Sequence, residues 1–262
     1  RQRQMCIRDR VRPEEILVIT FTKYAAWEMK NRTRSICGPS SYAVTFGTFH
    51  GIYYGILKWA YRLNQSNLLS DEEKYRILRE ILPGIDWDQE PEADEEKDYL
   101  QELAIEIGNV KNNCMDIEEY EPVKYTTEKF RKLYRTYEET KKKYRKIDFE
   151  DMLIQCRDLF MKRPDILKKW QEKFQYILVD EFQDVNQAQY DVVRMLAAPQ
   201  DNLFVVGDDD QSVYGFRGAK PGIMKEFMKD YPKARQILLD VNYRSSGYIV
   251  KGALRVLSLI HI

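Results

Sequence analysis

Two adjacent carboxylates at the end of an apolar run carry the first chemical signal in this chain. In Tyr176-Ile-Leu-Val-Asp-Glu-Phe-Gln-Asp184 an apolar stretch fit for a strand buried on both faces runs directly into Asp180 and Glu181. The C-terminal edge of a parallel sheet is where α/β proteins bind ligands. One carboxylate there can hold Mg²⁺, usually through water, while its neighbour orients and deprotonates an attacking water, which is the chemistry of nucleotide hydrolysis. Taken alone, the segment also reads as a strand end with two solvated acids. A second apolar run, Leu203-Phe-Val-Val-Gly-Asp208, then ends in Asp208-Asp-Asp-Gln-Ser-Val-Tyr-Gly-Phe-Arg-Gly218. Two strands thus bring acids, Gln211 and Arg217 to one sheet edge.

Five segments, in chain order, resemble successive motifs of the UvrD/Rep/PcrA-like DNA helicases of superfamily 1. They are Thr20-Phe-Thr22, Gly47-Thr-Phe-His50, Asp180-Glu-Phe-Gln-Asp184, the glycine-bounded stretch Gly207 to Gly218, and Asn242-Tyr-Arg-Ser245. The resemblance runs from about Val11 to Leu257 and covers the middle of such a helicase. It implies an α/β fold, a RecA-like, P-loop NTPase-type parallel sheet carrying an α-helical insertion domain. It divides the chain into motor-domain segments at residues 11–65 and 147–239, a helical insertion at 66–146 and the opening of a second motor domain at 240–257. It implies ATP and Mg²⁺ as cofactors, with Asp180 on the metal, Glu181 activating water and Gln211 sensing the γ-phosphate. Arg244 neutralises developing charge, and Tyr243 stacks on the nucleobase. Phe21, Thr22, Thr48, His50, Tyr214, Phe216 and Arg217 fall to single-stranded DNA. The implied activity is an ATP-dependent helicase moving 3′ to 5′ on single strands and unwinding at single-strand/duplex junctions, in DNA repair or replication restart.

Plainer readings stand beside several of these. Phe21 and Phe216 also suit core packing, His50 a structural hydrogen bond, and Arg244 a surface salt bridge. A non-catalytic module that binds single-stranded DNA, and the motor part of a helicase–nuclease subunit, are the alternative functions. The sequence also departs from the family pattern. No G-x-x-x-x-G-K-[ST] phosphate loop occurs, where the family places one just before the Ile16 strand. The expectation is therefore that this stretch by itself hydrolyses ATP poorly. Lys23-Tyr24 stands where relatives commonly carry Asn-Lys, and Phe216 where many carry Trp. Residues 1–10 and 258–262 lack any period and read as non-native ends.

The elements that must position these residues follow from patterning. Ile16-Leu-Val-Ile-Thr20 reads as a buried strand, followed by a helix from Lys23 to Ser35 that Gly38-Pro39 stops. Val44 to His50 alternates and opens a helix to about Leu63, with Thr48 and His50 at its start, where backbone N–H groups and a hydroxyl suit a phosphate. From Asn64 to Lys146 strand signals vanish. Ser70-x-x-Glu73 is a capping box, and apolar spacings mark helices around Leu100–Ile107 and Phe130–Tyr144. The acidic stretch Asp86 to Asp98 reads as an exposed loop. The dense Lys/Arg set from Lys124 to Lys146, Lys141 among it, suits either a solvated helix face or a track for duplex phosphates. Asp148 caps a helix to about Met161, which Pro164 interrupts. Helices near Gln187–Leu196 and Ile223–Met228, a strand at Ile237-Leu-Leu239 and a last helix through Leu257 complete the pattern.

Composition sets bounds. Lys plus Arg and Asp plus Glu number 42 each, so net charge gives no argument for nucleic acid and any contact rests on local patches. Cys6, Cys37, Cys114 and Cys156 lie far apart, with only His50 and His261 to join them, which argues against zinc and disulfides. No apolar run approaches the roughly 18 residues a membrane helix needs, and the first residues lack a signal-peptide core. A cytoplasmic protein without membrane contact is the default expectation.

Overall fold

The structure, a computed structural model, describes residues 11–85, 95–212, 220, 222–239 and 241–260. Its contacts divide the chain into two units, residues 1–225 and 226–262.

The first unit is built on a parallel sheet of four strands, β1 (Ile16–Thr20), β2 (Thr45–Thr48), β3 (Tyr176–Val179) and β4 (Leu203–Val205), in the order β2-β1-β3-β4. All residues of β1 are buried, as a continuous apolar run predicts for a strand covered on both faces. In register, Thr20 of β1 pairs with Thr48 of β2, and Ile19 pairs with Val179 of β3. Because every pairing is parallel, all four strands deliver their C-terminal residues to a single edge.

Helices cover the sheet. Between β1 and β2 lies α1 (Lys23–Cys37), ended by Gly38 at φ +67, a left-handed stop that glycine adopts without Cβ strain. After β2 comes α2 (Phe49–Tyr61), and the return to the sheet is made by α6 (Phe149–Lys162) and α7 (Pro164–Lys173); α8 (Gln187–Ala197) joins β3 to β4. Phe49, Tyr53, Ile56 and Leu57 of α2 and Leu153, Cys156 and Phe160 of α6 are buried at helical spacing. Each such apolar side chain contributes about 1.5–3 kcal/mol of burial. The Tyr53 hydroxyl, inside this layer, donates to the Gln189 carbonyl of α8 at 2.8 Å.

Between α2 and α6 the chain forms a helical excursion with its own core, made by α3 (Asp71–Ile81), α4 (Glu96–Asn112) and α5 (Thr127–Lys143). Leu78, Leu103, Val110, Phe130, Leu133 and Tyr137 are its most buried members. The Ser70/Glu73 capping box forms as the spacing predicts. Entry and exit of the excursion meet: the Leu69 N–H donates to the Ile147 carbonyl, and the Ile147 N–H to the Asn67 carbonyl, both at 2.8 Å. Residues 86–94, most of the acidic stretch, lie outside the described residues, and its last part is already helical in α4.

The basic face of α5 is largely committed to internal partners. Arg135 pairs with Glu118 and Arg131 binds the Ile117 and Glu118 carbonyls, while Lys124 and Lys146, flanking the helix, pair with Glu102 and Glu73. Lys141 corrects the reading of this helix as one exposed basic face, because it is only 1 % exposed. With Lys111 of α4 it enters a buried charge cluster at the start of α6. The Lys141 Nζ lies 2.8 Å from Asp148 and 2.5 Å from Asp151, and the Lys111 Nζ lies 2.8 Å from each. Glu138 reaches both ammonium groups at 2.6 and 2.8 Å, and the Tyr137 hydroxyl donates to Asp148 at 3.1 Å. Asp148 and Asp151 also form the capping box of α6. Burial opposes the charge on Asp148, yet Lys111 and Lys141 outweigh it and hold its carboxyl well below the usual range. For Asp151 burial wins and the carboxyl is raised. Glu138, Asp148 and Asp151 stand within 4.8 Å of one another, close enough for a metal, but the Lys111 and Lys141 ammonium groups already occupy the space among them and offset most of their charge.

In the second unit the described residues include the greater part of α9 (Ile223–Asp230) and all of α10 (Gly247–Ile260). The strand expected at Ile237–Leu239 does not form: these residues have no ladder partner among the described residues and are highly exposed, Leu239 at 86 %. An apolar run becomes a strand only beside another strand, and none is described in this unit.

Candidate active site at the sheet edge

β3 ends by handing its backbone to β1. The Asp180 N–H donates to the Ile19 carbonyl at 3.0 Å, which fixes Asp180 at the rim of the sheet, half-buried. The next residue, Glu181, lies at φ 54, ψ 43, a left-handed conformation that costs a non-glycine residue on the order of 1–2 kcal/mol. The chain turns sharply there, leaving Glu181 exposed and Phe182 fully buried edge-on against Tyr190, centroids 5.7 Å apart. Buried aromatic packing and a following short 3₁₀ turn, Phe182–Asp184, hold the strained residue in place.

The β4 loop is laced to this turn. The Phe182 N–H donates to the Val206 carbonyl at 2.8 Å, and the Val206 N–H to the Val179 carbonyl at 2.9 Å. Gln183, 3 % exposed, donates from its side-chain amide to Glu181 at 2.8 Å and accepts from the Asp208 N–H at 3.0 Å. Asp208 accepts from the Asp210 N–H at 3.1 Å and from the Gln211 side-chain amide at 2.6 Å. Asp180, Glu181 and Gln211, singled out by the sequence, therefore share one edge. The link between them runs through Gln183 and Asp208, to which spacing alone assigns no role. Asn186 caps α8 and also donates to the Asn112 side chain at 3.1 Å, joining the end of α4 to the same turn.

The other half of the edge belongs to β1 and β2. Thr22 and Thr48 are the N-caps of α1 and α2, accepting from the Ala25 and Gly51 N–H groups at 3.0 and 3.1 Å. The Thr20/Thr48 register sets these two helix starts side by side, with hydroxyl protons left to donate and helix N-termini that favour anions. Phe21 is half-buried and packs edge-on against Phe49 at 5.5 Å, so packing accounts for part of its surface. His50 stands edge-on to Phe149 at 5.7 Å. Tyr24 and Trp27, unclaimed by motif spacing, are 69 % and 60 % exposed with rings 5.9 Å apart in the first turns of α1. The Thr20 hydroxyl is buried at this edge with no hydrogen-bond partner among the described residues.

Tyr214, Phe216 and Arg217 lie outside the described residues. Tyr243 and Arg244 belong to the second unit. There the Asn242 side chain accepts from the Arg244 and Ser245 N–H groups at 2.9 and 3.0 Å, fixing the turn before α10, and the Tyr243 ring is 91 % exposed.

The donor chemistry at β3 fits a hard divalent cation. Mg²⁺ keeps several waters and takes one or two protein carboxylates plus substrate phosphates, and Asp180 with Glu181 offers that set.

Comparison with known proteins points to one family. The model of the UvrD/REP helicase N-terminal domain matches residues 4–232. The chain is 40% identical over 252 residues to a putative ATP-dependent DNA helicase, YjcD, of Bacillus subtilis, covering 92% of this chain and 32% of that protein. It is 37% identical to the ATP-dependent DNA helicase PcrA of the same organism, covering 94% of this chain and 33% of that protein. To DNA helicase II of Escherichia coli it is 34% identical, covering 92% and 33%. The chain thus spans about a third of the length of these relatives.

Proposed function

The chain belongs to the UvrD/REP helicase family, matched through its N-terminal domain, and we propose that the protein it represents couples ATP hydrolysis to 3′-to-5′ movement on single-stranded DNA and to duplex unwinding. The observation that carries the chemistry is the left-handed Glu181, exposed beside Asp180 and held by Gln183 at the C-terminal edge of a parallel sheet. Glu181 orients the attacking water and takes its proton. Asp180 would hold Mg²⁺, which when bound neutralises charge on the β- and γ-phosphates. Gln211, tied through Asp208 to the same turn, senses the γ-phosphate. Arg244 meets its developing charge and Tyr243 stacks on the nucleobase, roles that rest on the family resemblance.

The DNA path crosses the β1–β2 half of the edge. Paired helix N-termini capped by Thr22 and Thr48 offer backbone donors to phosphates, with His50 beside them. Phe21, and the exposed Tyr24–Trp27 pair, offer rings for bases, each stack worth about 1–3 kcal/mol without regard to sequence. Tyr214, Phe216 and Arg217 would extend that surface from the β4 loop. Hydrolysis and strand binding then share one sheet edge, and Gln211 lies in the chain between Glu181 and the Tyr214–Arg217 segment.

The test is ATP turnover by the full-length protein in Mg²⁺, with and without single-stranded DNA. Stimulation by the strand supports the coupled motor. A full-length protein that binds the strand with no hydrolysis would be a binding module instead.

A further inference from the structure

We propose that Gln183 is a positioning residue for hydrolysis, holding the Glu181 carboxylate toward the attacking water and tying it to the loop that carries Gln211. This inference rests on the ATPase reading of Glu181. Its geometry stands independently. Gln183 is 3 % exposed, and both ends of its amide are engaged. The Asp208 backbone N–H can only donate, so the oxygen of the Gln183 amide must face it and the amide nitrogen must face Glu181. The assignment leaves Glu181 one fixed donor at 2.8 Å, directed at a single carboxylate oxygen, with the other oxygen left for water.

The surroundings keep that amide where it is. Gly207 makes the approach possible: a Cβ there would lie 2.7 Å from the Gln183 side-chain oxygen and 3.0 Å from its backbone nitrogen. The Asp180 N–H bond to Ile19 and the Phe182 N–H bond to Val206 clamp the backbone on either side of the left-handed Glu181. Asp208 passes the link on, accepting from Gln211 at 2.6 Å. A displacement of Gln211 by phosphate is thereby felt at Glu181 through two side chains and one backbone N–H, a contiguous path of hydrogen bonds.

Two substitutions divide the two jobs of the amide. Gln183→Glu keeps an acceptor for the Asp208 N–H and places a carboxylate where the donor to Glu181 stood. Gln183→Met keeps the length and removes both bonds. In the full-length protein, Gln183→Glu should lower kcat for DNA-stimulated ATP hydrolysis by about 10- to 100-fold, the scale of a misplaced reacting group. KM for ATP and affinity for a fluorescent ATP analogue should stay within about threefold. Gln183→Met should lower kcat at least as much, and should also loosen the β4 loop, read as faster amide exchange at Asp208.

Three results overturn the inference: kcat for Gln183→Glu within about twofold of wild type, nucleotide affinity falling in parallel with kcat, or unchanged Asp208 exchange in Gln183→Met. Glu181→Gln, run alongside, separates this from the ATPase reading. If Glu181→Gln abolishes turnover while Gln183→Glu leaves it intact, the positioning role fails and the ATPase reading stands. If Glu181→Gln retains wild-type turnover, Glu181 is not the water-activating group and the role of Gln183 falls with it.

Discussion

Removing the ammonium of Lys141 should be among the most damaging single changes to stability in the first unit. Lys141→Met keeps the aliphatic stem in its buried site but deletes contacts to Glu138, Asp148 and Asp151 at 2.8, 2.8 and 2.5 Å. Lys111 is then left in contact with those three carboxylates, with Lys74 acting on Asp148 from farther away. Breaking a buried pair by removing one partner costs about 3–5 kcal/mol, because the remaining charge is stranded in a poor solvent. With a urea slope of about 2–3 kcal/mol per molar, the midpoint should fall by about 1–2.5 M. Adding Asp151→Leu removes the carboxylate that burial already disfavours, so the double variant should recover at least about 1 kcal/mol of the loss. The assay is urea unfolding of the full-length protein, followed by amide exchange in α5 and α6. A midpoint shift below about 0.3 M, or strict additivity of the two substitutions, would refute the picture of a tightly coupled buried cluster.

The same cluster sets a pH dependence. The Asp148 carboxyl is depressed by Lys111 and Lys141 against the pull of burial, so its contribution is complete above the ordinary carboxylate range near about 4 and is lost as pH falls through its lower folded value. Lys111, raised by Asp148, Asp151 and Glu138 against burial, contributes below the ordinary lysine value and loses that contribution as pH rises through its raised one. Asp151, raised, works in the opposite sense to Asp148 in acid. Urea midpoints between about pH 7 and 3 should therefore fall less steeply for Asp148→Asn than for wild type. Gly207→Ala should displace Gln183 and destabilise the protein by about 1–3 kcal/mol, measured by the same unfolding curves; a neutral outcome would show that the Gly207 contact is slack. Thr48→Val removes the cap of α2 and should cost about 1 kcal/mol, with weaker binding of a fluorescent oligonucleotide; unchanged DNA affinity would separate Thr48 from the strand path.

The sequence made parts of this legible for physical reasons. Ile16–Thr20 and Tyr176–Val179 read as strands because a parallel strand covered on both faces is a continuous apolar run. Ser70/Glu73 and Asp148 read as caps because capping is a local interaction. Pro164 reads as a break but also opens α7, since the first turn of a helix has no use for the N–H that proline lacks. Non-local partners were hidden. Lys141 looks like one more surface lysine until Lys111, Asp148 and Asp151, contributed by α4 and α6, are folded around it. Ile237–Leu239 has strand composition without a strand beside it. At the site, the acids announce themselves by adjacency, whereas Gln183 gains its meaning only when Asp208 of the loop after β4 is brought within 3.0 Å.

The role proposed for Glu181 at this edge is hydrolysis in a DNA-driven motor. The most direct measurement is DNA-stimulated ATPase of the full-length protein in Mg²⁺, comparing wild type with Glu181→Gln and Arg244→Ala while nucleotide binding is followed separately. Single-stranded DNA should stimulate the wild type, and both substitutions should abolish turnover with nucleotide still bound. Wild-type turnover in Glu181→Gln, or a full-length wild type that binds DNA yet hydrolyses nothing, would contradict it.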